Sequence, residues 1–468
     1  MAESLWTAAD AAKATAGTLT QGEDWSATGI SIDTRSLKPG DLFVALEAER
    51  DGHDFVPDAM ARGAAAALVS NPECGPGKKL VVGDTLEGLR RLAIAGRDRS
   101  GAVRVAVTGS VGKTSVKEAL ATVFRQAGTA HASIKSYNNH WGVPLTLALT
   151  PKNVDRAVYE MGMNHAGEIR ALSNLGQPHV ALITKIAPAH LENLGSMEAI
   201  ADAKSEIFEG LHKDGVAVFP ADDEFAPRLT EHARKSRAAF MIEFGREASA
   251  AVRLLDYQTG PEGGKGRISV LGKEIDFHLP ATGVHWAWNA AAIFATAIAA
   301  GVDAETTAEG LRYIKAEAGR GAIQELPVNG GHFTLIDDSY NANPVSMASG
   351  LSILGATKPK GGKRIAILGE MLELGPDSAQ LHKSLTNPLK SAGVDAVFLA
   401  GKGTEPLRDS LPVGLLAAYA DTAAELKEAV AGYVNPGDVV FVKGSNASGV
   451  HTIARMLSQD GFGARGQG

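Results

Sequence analysis

Eight consecutive residues, Thr108-Gly109-Ser110-Val111-Gly112-Lys113-Thr114-Ser115, bring two glycines, a lysine and hydroxyls together in the order a phosphate cradle requires. Glycines let backbone N–H groups converge on oxygens, and a following helix N-terminus adds positive potential. Lys113 would reach the β- and γ-phosphates of a nucleotide, and the Thr114 hydroxyl would bind Mg²⁺. The alternative is a Gly-rich turn joining a core strand to a helix. Counted from Gly109 the spacing is G-x-x-G-K-T, and Val107 stands where the longer G-x-x-x-x-G-K-[ST] loop needs glycine. That shorter loop, with no guanine-reading N-K-x-D string in the chain, argues against a kinase or a GTPase.

Three residues downstream could meet a cation. Glu160 follows the strand-like Ala157–Tyr159. An acid at a strand's C-terminal edge beside a phosphate loop holds Mg²⁺ directly or through water, although a surface or capping glutamate fits the same pattern. His190 lies in the Pro-containing segment Ile183–Leu191 (ITKIAPAHL); a lone histidine is more often a structural hydrogen-bonder than a ligand. Lys204 falls in the helical stretch Met197–Phe208 (MEAIADAKSEIF). A protonated lysine cannot bind a cation, so chemistry alone makes Lys204 a solvated helix residue paired with Glu206 or Asp202.

Such groups need rigid elements behind them. Val103–Val107 reads as a buried strand running into the loop, with a helix from Val116. Asp41–Leu46, Ala65–Val69, Leu80–Val82, Val180–Thr184, Phe333–Ile336, Arg364–Leu368, Ala396–Leu399 and Val439–Val442 are further strand-like runs, with a helical stretch near Phe55–Arg62. Strands alternating with helical stretches predict α/β layers with largely parallel sheets. The segments Arg97–Arg104 (RDRSGAVR) and Glu317–His332 (EAGRGAIQELPVNGGH) read as linkers. They divide the chain into 1–100, 101–317 and 318–468, as expected for 468 residues at about 150 per domain.

Composition narrows the function further. A net charge of −7 argues against a polybasic nucleic-acid or lipid binder, while leaving room for a local basic groove. The single cysteine, Cys74, excludes an internal disulfide and a multi-thiolate zinc site. The N-terminus MAESLWTAADAAKAT lacks the basic start of a signal peptide. Trp286–Val302 is too short and small-residued for a membrane span and reads as a buried Ala-rich helix. A cytoplasmic protein without membrane insertion, acting as a monomer, is expected.

The motifs together resemble the Mur ligases, ATP-dependent amide-bond-forming enzymes of peptidoglycan synthesis. The resemblance runs through Ile32–Leu46, Asp51–Val56, Thr108–Glu118, Asn138–Leu147, Tyr159–Ile169, Ala187–Phe208, Ile336–Met347 (IDDSYNANPVSM), Gly369–Gly375 (GEMLELG) and Val442–Ser445 (VKGS). It implies an N-terminal α/β UDP-sugar-binding domain, a central P-loop ATPase-like α/β domain and a C-terminal Rossmann-like α/β domain that closes on ATP. The activity implied is addition of D-Ala-D-Ala to UDP-N-acetylmuramoyl-tripeptide through an acyl phosphate, with ATP and two Mg²⁺ ions.

Carried over residue by residue, the resemblance places ATP on Gly109 to Ser115, with Thr114 and Glu160 at the metal. Glu160, His190 and a carbamylated Lys204 serve a second metal, the carbamate turning an ammonium into an anionic oxygen donor. Asn289 matches an adenine contact, and Arg320 and Asp338 match residues at the phosphates and ribose. Asp33, Thr34 and Arg35 resemble a segment gripping the UDP-sugar, and Asn138 and Asn139 match residues near the muramoyl-peptide end. Two positions depart from the family: Trp286 follows His285 where asparagine is usual, and Asn446 follows Ser445 where many members carry arginine. Sibling ligases, folylpolyglutamate synthase and a non-catalytic nucleotide-binding regulator are the alternatives; no D-N-P-R string marks the diaminopimelate-adding sibling.

Overall fold

Near-continuous apolar runs make strands that are buried on both faces, which parallel sheets supply by packing helices above and below. The computed structural model describes residues 4–20, 24–134, 136–260, 263–315 and 319–459, and arranges such runs in sheets of five, nine and six strands beside one two-stranded pair. The five-stranded sheet has the order Thr18–Thr20, Lys79–Val81, Ala66–Val69, Asp41–Val44, Gly29–Ser31, parallel except at its first edge. The six-stranded sheet is parallel from Gly331–Asp337 to Leu416–Ala420 and carries one antiparallel edge strand, Ala322–Val328.

The nine-stranded sheet sets up the chemistry. Val103–Thr108 lies between Arg156–Glu160 and Val180–Ile183, parallel to both, with Val107 opposite Glu160 and Thr108 opposite Ile183. Chain order turns in opposite directions on the two sides of Val103–Thr108, so the crevice beyond its C-terminal end is where ligands bind in open α/β sheets. The far edge, Val252–Gly260, Gly263–Val270 and Lys273–Leu279, is an antiparallel meander that the strand–helix reading did not anticipate.

One face of this sheet is covered by helix Lys113–Gln126 and the Ala-rich helix His285–Ala299, which share a core with Val105, Val107, Phe277 and Phe294. Small side chains let the second helix sit close to the strands. Phe294 is fully buried, with the Phe277 ring edge-on to it at 5.7 Å. Phe294→Ala is expected to destabilise the protein by about 3–5 kcal/mol through lost burial and a residual cavity, measured as a lowered denaturation midpoint.

Both expected linkers are shorter than their composition suggests. Helix Thr85–Arg99 continues through Arg99, and the next strand begins at Val103. Arg97 and Arg99 place cations in the helix's last turn, where the macrodipole favours them; Arg97 also donates to Leu175 O, and Arg99 lies over the Trp6 ring. Glu317 and Ala318 of the second segment lie outside the described residues, as does Glu3 at the N-terminus. The rest of that segment is largely strand: Ala322–Val328 pairs with Gly331–Asp337 through the two-residue turn Asn329-Gly330, both with positive φ. Asn-Gly is a strong hairpin signal, and Pro327 is tolerated because its strand is at an edge. The helix after the phosphate loop starts at Lys113, ahead of the expected Val116. Among the described residues no helix is long and apolar enough to cross a membrane.

Candidate active site

The strand Val103–Thr108 ends in a loop that two glycines make tight. Gly109 has φ +149, and a Cβ there would lie 1.9 Å from Thr184 Oγ1. Gly112 has φ +83, and a Cβ there would lie 2.9 Å from Asn289 Oδ1, so only glycine lets that asparagine approach. The loop is tied to the adjacent strand end: Thr184 Oγ1 donates to Val111 O at 2.6 Å, and Ser110 Oγ accepts from Ala187 N at 3.0 Å. Lys113 opens the helix and donates to Gly109 O at 2.6 Å. Burial and Arg320 push its pKa down, against the pull of Glu160.

Glu160, at the end of the adjacent strand, is 1% exposed. Thr114 Oγ1 donates to its Oε2 at 2.7 Å, and Asn138 Nδ2 donates to its Oε1 at 2.8 Å. Asn139 Oδ1 accepts from Trp141 N and Gly142 N, fixing the entry to helix Gly142–Ala148. Arg320, from the six-stranded unit, crosses to donate to Ser136 Oγ at 2.8 Å and lies over the Tyr340 ring at 4.0 Å. Lys443 is buried and donates to Asp338 Oδ2 at 2.6 Å and to Asn341 O at 2.9 Å. Burial raises the Asp338 carboxyl above its ordinary value despite that lysine.

Lys204 is not the solvated residue that helix position suggests. It is 1% exposed, and among the described residues no acceptor bonds its Nζ. Burial, with the nearby Lys113 charge, lowers its pKa well below that of a free lysine. The expected partners are taken: Asp202 bonds Arg228 and His232, and Glu206 accepts from Gly167 N and Arg170 N. His190 is held in the left-handed region at φ +59, an uncommon conformation for a non-glycine residue. Its Nδ1 lies 2.5 Å from Glu373 Oε2, an ion-pair separation whose angle falls outside hydrogen bonding. That contact holds the Glu373 carboxyl below the usual glutamate range.

One cavity of 460 Å³ collects these groups. Ser110 to Ser115, Asn138, Asn139, Glu160, His190, Lys204, Asn289, Arg320 and Asp338 all line it. Gly109 shapes the loop from behind. Asp33, Thr34 and Arg35 do not line it; they follow strand Gly29–Ser31, with Arg35 paired to Asp33 at 2.6 Å and Thr34 buried. A second cavity of 300 Å³ shares Ser110, Lys113 and His190 with the first and extends to Glu373 and Asn446. Sequence reasoning assigned no role to Ser136, His285, Tyr340, Glu373 or Lys443. Glu373 and Lys443 sit inside the strings GEMLELG and VKGS, which carried the family resemblance, whereas Ser136 has no motif of its own.

The donor set suits a triphosphate and a hard cation. Lys113, Arg320 and Lys443 give the cavity the cationic groups a polyanion needs. Thr114 and Glu160 offer oxygen donors 2.7 Å apart at the loop, as Mg²⁺ prefers. Among the described residues no three His, Cys, Asp or Glu side chains group around a metal-sized site. Glu160, His190 and Lys204 line the same cavity.

Comparison with known proteins agrees with this geometry. Residues 26–90 match the Mur ligase family catalytic domain, 107–297 the Mur ligase middle domain, and 319–446 the Mur ligase glutamate ligase domain. The chain is 36% identical over 445 residues to the UDP-N-acetylmuramoyl-tripeptide–D-alanyl-D-alanine ligase of Escherichia coli, covering 94% of this chain and 96% of that protein. It is 33% identical over 418 residues to the same ligase of Rickettsia prowazekii, covering 89% and 92%. The crystal structure of MurF from Acinetobacter baumannii superposes with a TM-score of 0.82 at 30% identity, over 97% of this chain and 98% of that one. MurF from Thermotoga maritima in complex with ADP gives 0.75 at 25% identity, over 92% and 97%. The chain belongs to the Mur ligase family.

Proposed function

We propose that this protein is the ATP-dependent ligase that joins D-Ala-D-Ala to UDP-N-acetylmuramoyl-tripeptide, releasing ADP and phosphate. The single observation that carries the reading is the cavity itself. It brings a phosphate loop, a buried Thr114–Glu160 pair and a buried lysine with no acceptor among the described residues against Arg320 and Asp338 of another sheet. Near-full-length likeness to ligases of that name supports the choice of substrates. The three parts 1–100, 101–317 and 318–468 then take the UDP-sugar end, ATP and the incoming dipeptide, respectively.

A carboxylate and an amine do not condense unaided in water, so the tripeptide's carboxylate is activated as an acyl phosphate. Like-charged reactants must first approach. Lys113 and the loop amides neutralise phosphate oxygens, and Arg320 adds charge from the opposite wall. Glu160 orients Thr114 on one oxygen and Asn138 on the other, so loop and peptide end are placed by one carboxylate. Asn289, brought close by Gly112, sits where the base would lie. Thr114 and Glu160, and then Glu160, His190 and a carbamylated Lys204, are the residues that would hold Mg²⁺. Those ions supply charge neutralisation for the transferring phosphoryl group. Positioning and electrostatics then provide most of the catalysis, without a covalent enzyme intermediate. The dipeptide occupies the second cavity, beside Lys113 and His190. Residues of separate sheets complete the site, so closure shields the acyl phosphate from water.

Phosphate release by the purified protein with ATP, Mg²⁺, UDP-N-acetylmuramoyl-tripeptide and D-Ala-D-Ala tests this reading. Release is expected only when both co-substrates are present. Release indifferent to them, or none in their presence, contradicts it.

A further inference from the structure

On the ligase reading, the second cavity takes the acceptor amine. Lys113 and His190 line the wall it shares with the phosphate site, and asparagine, serine and apolar groups make up most of the rest. A protonated amine entering there meets repulsion from Lys113. Glu373 is the one acid lining this cavity among the described residues. Of the acids lining the first cavity, Glu160 receives Thr114 and Asn138, and Asp338 receives Lys443.

Glu373 is also held in place. Its Oε2 lies 2.5 Å from His190 Nδ1, while among the described residues no donor bonds its Oε1. Both residues have positive φ, +63 and +59, although neither is glycine. The backbone is anchored too, since Glu373 O accepts from Glu192 N at 3.4 Å. Conformations of this kind persist only where surrounding structure enforces them, and they cluster at ligand clamps. His190 lines both cavities, whereas its partner Glu373 lines the second.

We propose that Glu373 is the docking carboxylate for the acceptor's ammonium, with His190 fixing one oxygen and the second oxygen receiving the amine beside the phosphate site. This rests on the ligase reading above and adds the residue that recognises the nucleophile. It makes Glu373 a substrate-positioning group contributed by the six-stranded unit. Once the docked ammonium has given a proton to Glu373 or to solvent, the neutral amine can attack the acyl carbon with phosphate leaving, so docking and reaction geometry are set together. The neutral asparagines and serine of the cavity are left for the dipeptide's amide and carboxylate.

The test separates recognition of the charge from a merely structural contact. In the full-length enzyme, the KM for D-Ala-D-Ala is compared with the inhibition constant of propionyl-D-alanine, which keeps the skeleton but has hydrogen in place of the ammonium. The wild type is expected to prefer the ammonium. Glu373→Gln should shrink that preference roughly tenfold or more, by raising KM while leaving the inhibition constant near its wild-type value. Glu373→Asp, which keeps the charge, should retain most of the preference even if both constants rise. If Glu373→Gln weakens both molecules equally, or if the Asp variant loses the preference as fully as Gln, the proposal is overturned. A wild type that neither turns over the dipeptide nor is inhibited by the analogue overturns the ligase reading itself.

Discussion

Lys204→Ala is expected to abolish ligation, by about 10³-fold or more, and short carboxylates such as formate or acetate are expected to restore part of it. A lysine that is 1% exposed, with no acceptor among the described residues, holds its charge poorly. Burial and the Lys113 charge both lower its pKa, so the neutral amine is populated at lower pH than in a free lysine. A neutral amine is the form that adds CO₂, and a carbamate formed there would be an anion in the cavity that Glu160 and His190 also line. Alanine removes that anion and leaves a space that a one- or two-carbon carboxylate fits. The measurement is phosphate release with and without the supplement; normal release by the unsupplemented variant removes Lys204 from the chemistry.

Lys113→Ala is expected to stop acyl-phosphate formation, with turnover lowered by about 10²–10³-fold or more. The lysine is the first residue of its helix, and its amine rests on Gly109 O at 2.6 Å, within the loop that would wrap the phosphates. Alanine is a good helix former, so the backbone survives while the charge that stabilises the transferring group is lost. Trapping of the activated carboxylate, alongside an unchanged circular dichroism spectrum, checks this. Wild-type rates of trapping would place the phosphates elsewhere.

Much of this site was legible before any coordinates because its residues sit at the ends of strands that are apolar on both faces. Val103–Thr108 and Arg156–Glu160 announce themselves by composition, and the loop glycines and Glu160 follow directly. Lys204 was not legible from chemistry: helix periodicity does not report whether a lysine faces solvent or a cavity between sheets, and only the family resemblance singled it out. Ser136 and Glu373 were missed for a related reason. Their contacts, to Arg320 and His190, join residues 184 and 183 positions apart across separate sheets. The antiparallel strands Val252–Leu279 escaped because they interrupt a strand–helix alternation that holds elsewhere. The hairpin at Asn329-Gly330 was hidden by its glycines and Pro327, which read as a linker until the turn chemistry is given its due weight.

Divalent ions at Thr114 and Glu160, together with an anionic Lys204, would let like-charged reactants meet. Crystals grown with a nonhydrolysable ATP analogue and Mn²⁺, measured at the manganese edge, test it most directly. The expected result is anomalous density against the Thr114 and Glu160 oxygens and at a second position facing His190, with a carbamate on the Lys204 nitrogen. A bound triphosphate with no anomalous density in the cavity, and an unmodified Lys204 amine, would contradict the account.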